Sequence, residues 1–294
     1  MKTKIMLFCL LLLACLIAIG IPARPSEQRL EQATEETKRL ESLATRVLGL
    51  DFGKINQSGA ERNIVGIRSD NLLFSQRRDS RTYFIQDQRF GADKGAGVFR
   101  GSDSDLLGLS REMLERLKIP LNEIDHPVVL HEKTQVGYVD PKSRKVITEE
   151  PGEGKSLAEF SRKVEGIPVF SSRALIGLTG DKKIGYMELH WPVIPDTVLR
   201  EAHRLQELVK GGWRPPEQKG ARPESIEPGI IHSPAIGFVM DIYPAIRVIY
   251  ASDNETVGKK MTLYLDGNGR EVPVPRQFEK LETPYKDPRQ YKKS

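Results

Sequence analysis

The sequence predicts an α+β protein built from antiparallel sheets with a few packed helices, and three observations carry that reading. Short runs of alternating apolar and polar residues recur through the chain, most cleanly where Met187, Leu189, Trp191 and Val193 alternate with Tyr186, Glu188 and His190. Only a few stretches show the three- and four-residue apolar spacing of a helix. Late in the chain, Asp266-Gly267-Asn268-Gly269 is a hairpin turn between two strand-like runs.

The first twenty residues read as an export signal. Lys2 and Lys4 form a short positive start, residues 5–19 are apolar and uncharged, and Gly20, Pro22 and Pro25 end any helix. Ala18 and Gly20 suit cleavage after Gly20, with Ala23 as a second cut site. An uncleaved anchor is the alternative, although the run is shorter than the roughly 20 residues of a spanning helix. Leu12-Leu13-Ala14-Cys15 also has the form of a lipoprotein box, in which Cys15 would be lipidated. The apolar residues after it favour reading Cys15 as part of the signal. The expected location is extracytoplasmic: secreted, periplasmic or held at the envelope.

Both cysteines, Cys9 and Cys15, fall inside this segment. A chain cut after it has no thiol chemistry, thiolate metal site or disulfide. The formal net charge is +5, Lys2 and Lys4 supply two of those charges, and 29% of residues are charged with both signs mixed. That is an ordinary soluble surface rather than a nucleic-acid footprint. The 294 residues suffice for a large core without staples.

Residues 26–48 read as a helix capped by Ser26, with Leu30, Ala33, Thr37, Leu40, Ala44 and Val47 as a thin apolar stripe. In an N-terminal α+β region, residues 51–150, strands are expected at 64–67, 82–86, 97–100, 128–131, 134–139 and 145–148. A short helix capped by Ser110 is expected to end before Pro120, and residues 140–143 form a turn. Residues 149–154 read as a polar linker and mark a soft boundary. The second region, 155–275, should hold strands at 160–164 and 169–178, a helix at 196–210 closed by Gly211-Gly212, and strands at 236–242, 245–250, 261–265 and 271–274. Trp191 should be buried between its strand and the 196–210 helix. Residues 276–294 form a weakly basic tail.

Two stretches carry a family resemblance. The strand pair around Gly166-Ile167-Pro168-Val169-Phe170, followed by Gly180-Asp181 and a third strand, resembles the fungalysin/thermolysin propeptide domain. The 196–210 helix, followed by strands ending in Tyr264-Leu265-Asp266-Gly267-Asn268-Gly269-Arg270-Glu271-Val272, resembles the PepSY domain. The resemblance covers roughly residues 160–272 and implies a helix packed on a curved antiparallel sheet, in modules that restrain or chaperone a peptidase. The zinc peptidase that follows these modules elsewhere is absent, since His131-Glu132 continues as Lys133-Thr134-Gln135 without a second histidine.

Other chemistry is weak. Gly154-Lys155-Ser156 imitates the end of a phosphate-binding loop, but Glu149 stands where its first glycine belongs. Glu188 and His190 share a strand face and are the candidates for a functional face; a metal site would need His203 or His232 as a third ligand. A solvated surface is the blander reading of that face. The carboxylate pairs Asp103/Asp105 and Glu149/Glu150 are expected in polar loops, no G-x-S-x-G elbow exists, and Asn56 and Asn254 begin sequons. The sequence therefore points to an exported binding or regulatory protein with no catalytic, cofactor or metal residues of its own. Its implied partner is an extracytoplasmic peptidase, docked near Gly166, Ile167 and Pro168. Nucleic acid is not expected, and membrane association is expected only through an uncleaved N-terminus or a lipidated Cys15. The alternatives are a structural envelope protein without a peptidase partner and a metal-dependent hydrolase using Glu188 and His190.

Overall fold

A computed structural model describes residues 27–61, 64–77, 81–90, 99–134, 137–140, 143–148, 152–232, 241–252 and 260–273. The export signal with Cys15, the basic tail, Glu149/Glu150 and Asn254 lie outside the described residues. Among the described residues no helix is long and apolar enough to cross a membrane.

The first helix, α1 (Glu27–Ser42), runs into a π-helical turn, Leu43–Val47. The wider turn shifts the apolar stripe. Leu40, Ala44 and Leu48 are buried, whereas Val47, which regular helical spacing selects, is half-buried. Strands β1 (Gln57–Glu61), β2 (Ile64–Arg68), β3 (Leu72–Arg77) and β4 (Thr82–Asp87) form an antiparallel meander. Phe99 and Arg100, expected in a strand, have no regular structure.

Helix α2 (Asp103–Arg116) starts well before the expected cap at Ser110. Ser102 accepts the Asp105 N–H at 3.1 Å, and the Asp105 carboxylate accepts the Ser102 N–H at 3.0 Å. This reciprocal pair is a capping box with Asp in place of Glu. Asp103 and Asp105 thus belong to a first helical turn, where the dipole favours negative charge, rather than to a polar loop. Ser110 lies mid-helix, fully buried, with no hydrogen-bond partner for its hydroxyl.

A 3-10 turn, Leu121–Glu123, leads into β5 (Ile124–Thr134), which pairs with β8 (Gly152–Val164). Between them β6 (Gly137–Val139) and β7 (Val146–Thr148) form a separate two-stranded sheet. Residues 152–154 are therefore strand rather than linker, with Gly152 opposite Thr134 and Glu153 opposite Lys133. Lys155 and Ser156 lie within the same strand, so no phosphate-cradling loop forms there; Lys155 Nζ stands 5.4 Å over the Phe90 ring. β8 turns into β9 (Ile167–Leu178) through Glu165 and Gly166, whose φ values of +50° and +82° suit a two-residue hairpin turn. β10 (Ile184–His190) then pairs with both β9 and β4, so one sheet runs across the expected boundary near residue 150.

The remaining elements are α3 (Asp196–Lys210), β11 (Ala221–His232), β12 (Ile242–Ser252) and β13 (Lys260–Leu265). β11 pairs antiparallel with β12 and touches β9 through one parallel partner pair, Ile230 and Val169. The main sheet has eleven strands and is almost wholly antiparallel, so the α+β fold class is observed. Glu271 makes an isolated bridge to Leu265 in place of a final strand.

One face of the main sheet carries the large core: Phe74, Ile85, Met187, Leu189 and Ile176 pack with Leu40 of α1, Ala44 of the π-helical turn, and Leu106 and Leu114 of α2. Smaller clusters join α3 to the C-terminal strands, through Ala202 with Ile167 and Ile230, and Leu205 with Ile246 and Val248. Trp191 is fully buried, but in the large core and not against α3 as expected. Val193, expected on the same face as Trp191, is 69% exposed, because the strand ends at His190.

The helix α2 assignment yields a paired prediction. Ser102→Ala removes a cap and should lower stability by about 1 kcal/mol. Ser110→Ala removes an unsatisfied buried hydroxyl and should leave stability unchanged or raise it by about 1 kcal/mol. Urea unfolding of both variants checks this; a clear loss with Ser110→Ala would contradict the unpartnered hydroxyl.

Candidate functional site

β10 occupies the middle of the main sheet, between β4 and β9. Its core-facing residues, Met187 and Leu189, are buried, so Tyr186, Glu188 and His190 face the other side. Phe84 of β4 and Leu175 of β9 stand directly opposite Glu188, and Arg173 of β9 stands opposite His190. The register thus frames the two sequence-selected residues with an aromatic ring, an aliphatic chain and a guanidinium.

These side chains form a closed network. Arg173 Nη2 donates to both Glu188 oxygens at 3.0 and 3.1 Å. The Tyr186 hydroxyl donates to Oε2 at 3.1 Å, and His190 Nε2 lies 3.1 Å from Oε1. The His190 side chain is 14% exposed and that of Glu188 22%, so the expected solvated face is corrected to a half-buried one. An edge-to-face contact with Phe84, centroids 5.9 Å apart, holds the Tyr186 ring.

The electrostatics follow from this enclosure. Hydrogen bonding from His190, then the charge and hydrogen bond of Arg173, outweigh burial and hold the Glu188 carboxyl at about 2. Burial, followed by the neighbouring Glu188 charge, pushes the Tyr186 phenol up to about 12. At neutral pH Glu188 is a weak base and Tyr186 stays protonated, so neither is tuned for proton transfer. An ionised carboxylate offers about four acceptor positions. Four contacts already fill them here, which leaves no lone pair aimed at a metal. His203 lies elsewhere, 3.4 Å from Glu165, and His232 is buried in a different network. Among the described residues no group of three or more His, Cys, Asp or Glu side chains is placed to hold a metal ion.

Gly166, Ile167 and Pro168 lie at the β8–β9 hairpin. Ile167 is fully buried against Val169, Ala202 and Ile230. Glu165 and Gly166 are exposed, while Pro168 is half-buried.

Two further polar arrays escaped the sequence reading. In the first, Arg162 Nε donates to Glu123 Oε2 at 2.8 Å and Arg162 Nη1 to the Pro192 carbonyl at 2.7 Å. Trp191 Nε1 donates to the same Glu123 oxygen at 2.9 Å. Next to it the Ser172 hydroxyl lies 3.1 Å from His232 Nε2, and the Ser171 hydroxyl accepts the His232 N–H at 2.8 Å. Ser172 and His232 are 2% and 1% exposed, so this serine–histidine pair fastens β11 to β9 where substrate cannot reach it.

In the second array, His131 Nδ1 lies 3.1 Å from the Ser156 hydroxyl, and Nε2 3.2 Å from an Asp103 carboxylate oxygen. The residue types are those of a hydrolytic triad. Their setting is solvent, with the His131 and Asp103 side chains 58% and 60% exposed, so nothing desolvates a reacting group. The contacts tie the start of α2 to the β5–β8 pair. The only sequence signal for this array was the cross-strand pairing of His131 with Ser156, which becomes visible once residues 152–156 are read as strand.

The Glu188 network predicts an acid limb of stability. Its folded carboxyl titrates at about 2, below the ordinary 4.5. The stabilisation is therefore present above pH 4.5 and lost as pH falls towards 2, and it amounts to about 3 kcal/mol. Urea unfolding at pH 5 and pH 2.5 should show the native protein losing about 2 kcal/mol more than Glu188→Gln, since at pH 2.5 the folded carboxyl is still largely ionised. Equal losses would mean that the carboxylate is not held by its neighbours. His190→Ala, which strips one of these contacts, should cost about 1–2 kcal/mol rather than the near-zero cost of an exposed site.

No family model matches the chain, and no curated protein matches it. Among solved structures it is similar to an uncharacterized protein from Eubacterium rectale, at 13% identity and a TM-score of 0.44 over 82% of each chain. That degree of likeness carries no functional argument.

Proposed function

We propose that this chain is an exported, non-catalytic binding or regulatory protein whose partner is an extracytoplasmic peptidase. The observation that carries the reading is the outer edge of β5, a strand of eleven residues that among the described strands pairs with β8 alone. An edge strand offers a row of backbone donors and acceptors to an extended segment of another protein, and side chains on either side supply selectivity. Val128 and Leu130 on this strand are 45% and 41% exposed. Pro127 and the irregular register between Asp125 and Val128 limit how far a new strand can extend, which favours a short, specific contact over open-ended pairing.

The ionic network around Glu188 supports the non-catalytic part of the reading, because Arg173, Tyr186 and His190 already occupy the Glu188 carboxylate and hold it in its ionised form. The resemblance of residues 160–272 to propeptide and PepSY modules supplies the peptidase as partner class, and the packing of α3 on β11 and β12 is compatible with it. A structural envelope protein without a peptidase partner uses the same edge strand and is the alternative.

Affinity capture from an envelope fraction tests the reading. The native chain should retain a peptidase and slow its turnover when added back. Val128→Lys, which places a charge on the open edge at an exposed position, should retain at least tenfold less. Capture of wall polymer or a membrane complex with no peptidase would sink the proposal in favour of the structural alternative.

A further inference from the structure

Beyond Thr134 the main sheet gives way to two strands. β6 and β7 pair only with each other, through Gly137 with Thr148, Tyr138 with Ile147 and Val139 with Val146. A two-stranded ribbon has no packed layer beneath it and is marginal in water by itself. This one nevertheless displays aliphatic side chains, with Val139 61%, Val146 69% and Ile147 41% exposed. Val139 and Val146 face each other across the ribbon next to its turn, on the same side.

Hydrogen bonds join Asp140 to residues 143–145 across the turn. The Asp140 N–H donates to the Lys145 carbonyl at 3.0 Å and the Arg144 N–H to the Asp140 carbonyl at 2.8 Å. The Asp140 carboxylate accepts from both the N–H and the hydroxyl of Ser143. Asp140 is the one acid in residues 137–148, against Lys142, Arg144 and Lys145. Arg144 and Lys145 are exposed immediately beside Val146.

We infer that this ribbon tip is a membrane-contact element, which seats Val139 and Val146 at the edge of the acyl region while Arg144 and Lys145 meet anionic headgroups. The charge favours this occupant, because a tip with three bases to one acid is attracted to an anionic surface. So does the layout, because aliphatic side chains next to cations are what interfacial binding uses. The inference does not depend on the peptidase reading, which rests on the edge of β5 and has a protein readout.

A local probe tests it in the full-length chain. With Cys9 and Cys15 replaced by serine, Val146→Cys carries an environment-sensitive fluorophore, and Val193→Cys carries it in a control. Both are exposed valines, so the label should leave the melting temperature unchanged. Vesicles of phosphatidylglycerol should shift the emission at position 146 to the blue, and vesicles of phosphatidylcholine should not. No shift should occur at position 193. Because residues 5–19 are present in every sample, the difference between positions isolates the tip. Each cation near an anionic surface is worth about fivefold in affinity, so combining Arg144→Glu with Lys145→Glu should raise the half-saturating lipid concentration by about 25-fold or more. No shift at position 146 with phosphatidylglycerol, or an equal shift at position 193, overturns the inference. A shift at 146 caused by envelope protein but by no vesicle assigns the tip to a protein partner and overturns it too.

Discussion

The buried guanidinium of Arg162 is the constraint around which this molecule is organised. It is 5% exposed although it lies only two residues from the end of β8. Burial pulls its pKa below the ordinary value, and Glu123 opposes that pull. A charge so enclosed is tolerated only with its hydrogen bonds filled, and removing one partner of such a pair costs about 3–5 kcal/mol. The partners come from separate parts of the chain: Glu123 before β5, Pro192 after β10, and Ser172 on β9. Trp191 completes the enclosure, with its ring 5.1 Å from the guanidinium carbon and its N–H bonded to Glu123. Ser172 passes the network on to His232 of β11, so one polar chain reaches from the large core to the C-terminal strands. An apolar cluster would tolerate small sliding of these elements. Directional bonds to a buried charge fix their positions.

The two faces of the main sheet divide the remaining roles. Helices α1 and α2 bury one face, and the large core accounts for most of the apolar side chains removed from water. The opposite face has no helix packed on it among the described residues, and its side chains there cover one another instead. Phe90 lies over Gly177 and Gly185, where any Cβ would collide with its ring. Arg173, Glu188, His190 and Tyr186 close over the neighbouring stretch by ion pairing. Among the described residues, most exposed large apolar side chains lie elsewhere, on β5 and on the ribbon beyond it.

That distribution bears on function. A sheet face becomes reactive when a buried carboxylate or imidazole is left short of partners and its pKa moves towards neutrality. Glu188 moves the other way, and the Ser172–His232 pair is sealed. In the His131–Ser156–Asp103 array the imidazole and the carboxylate are open to water. What remains open is the backbone along the outer edge of β5 and the aliphatic side chains of the β6–β7 ribbon. These are means of contact.

Much of the fold could be read from periodicity. The strand of Met187 and Leu189, the helix from Asp196 and the turn from Asp266 to Gly269 all follow from alternation, helical spacing or turn chemistry, and the strand pair expected around Gly166-Ile167-Pro168 turns one residue earlier, at Glu165-Gly166. The errors have equally local causes. Ser102-Asp103-Ser104-Asp105 looks like a polar loop until Asp105 is recognised as the returning half of a capping box. Gly152-Glu153-Gly154 looks like a linker because polar, glycine-rich sequence rarely pairs, and only its partners on β5 make it a strand. By itself the sequence determined which side chains of β10 share a face, because strand geometry alternates regardless of surroundings. Tertiary structure alone decided what that face could do. Arg173 is 15 residues from Glu188 in the chain and one strand away in the sheet, and that proximity turns a candidate acid or ligand into a saturated anion.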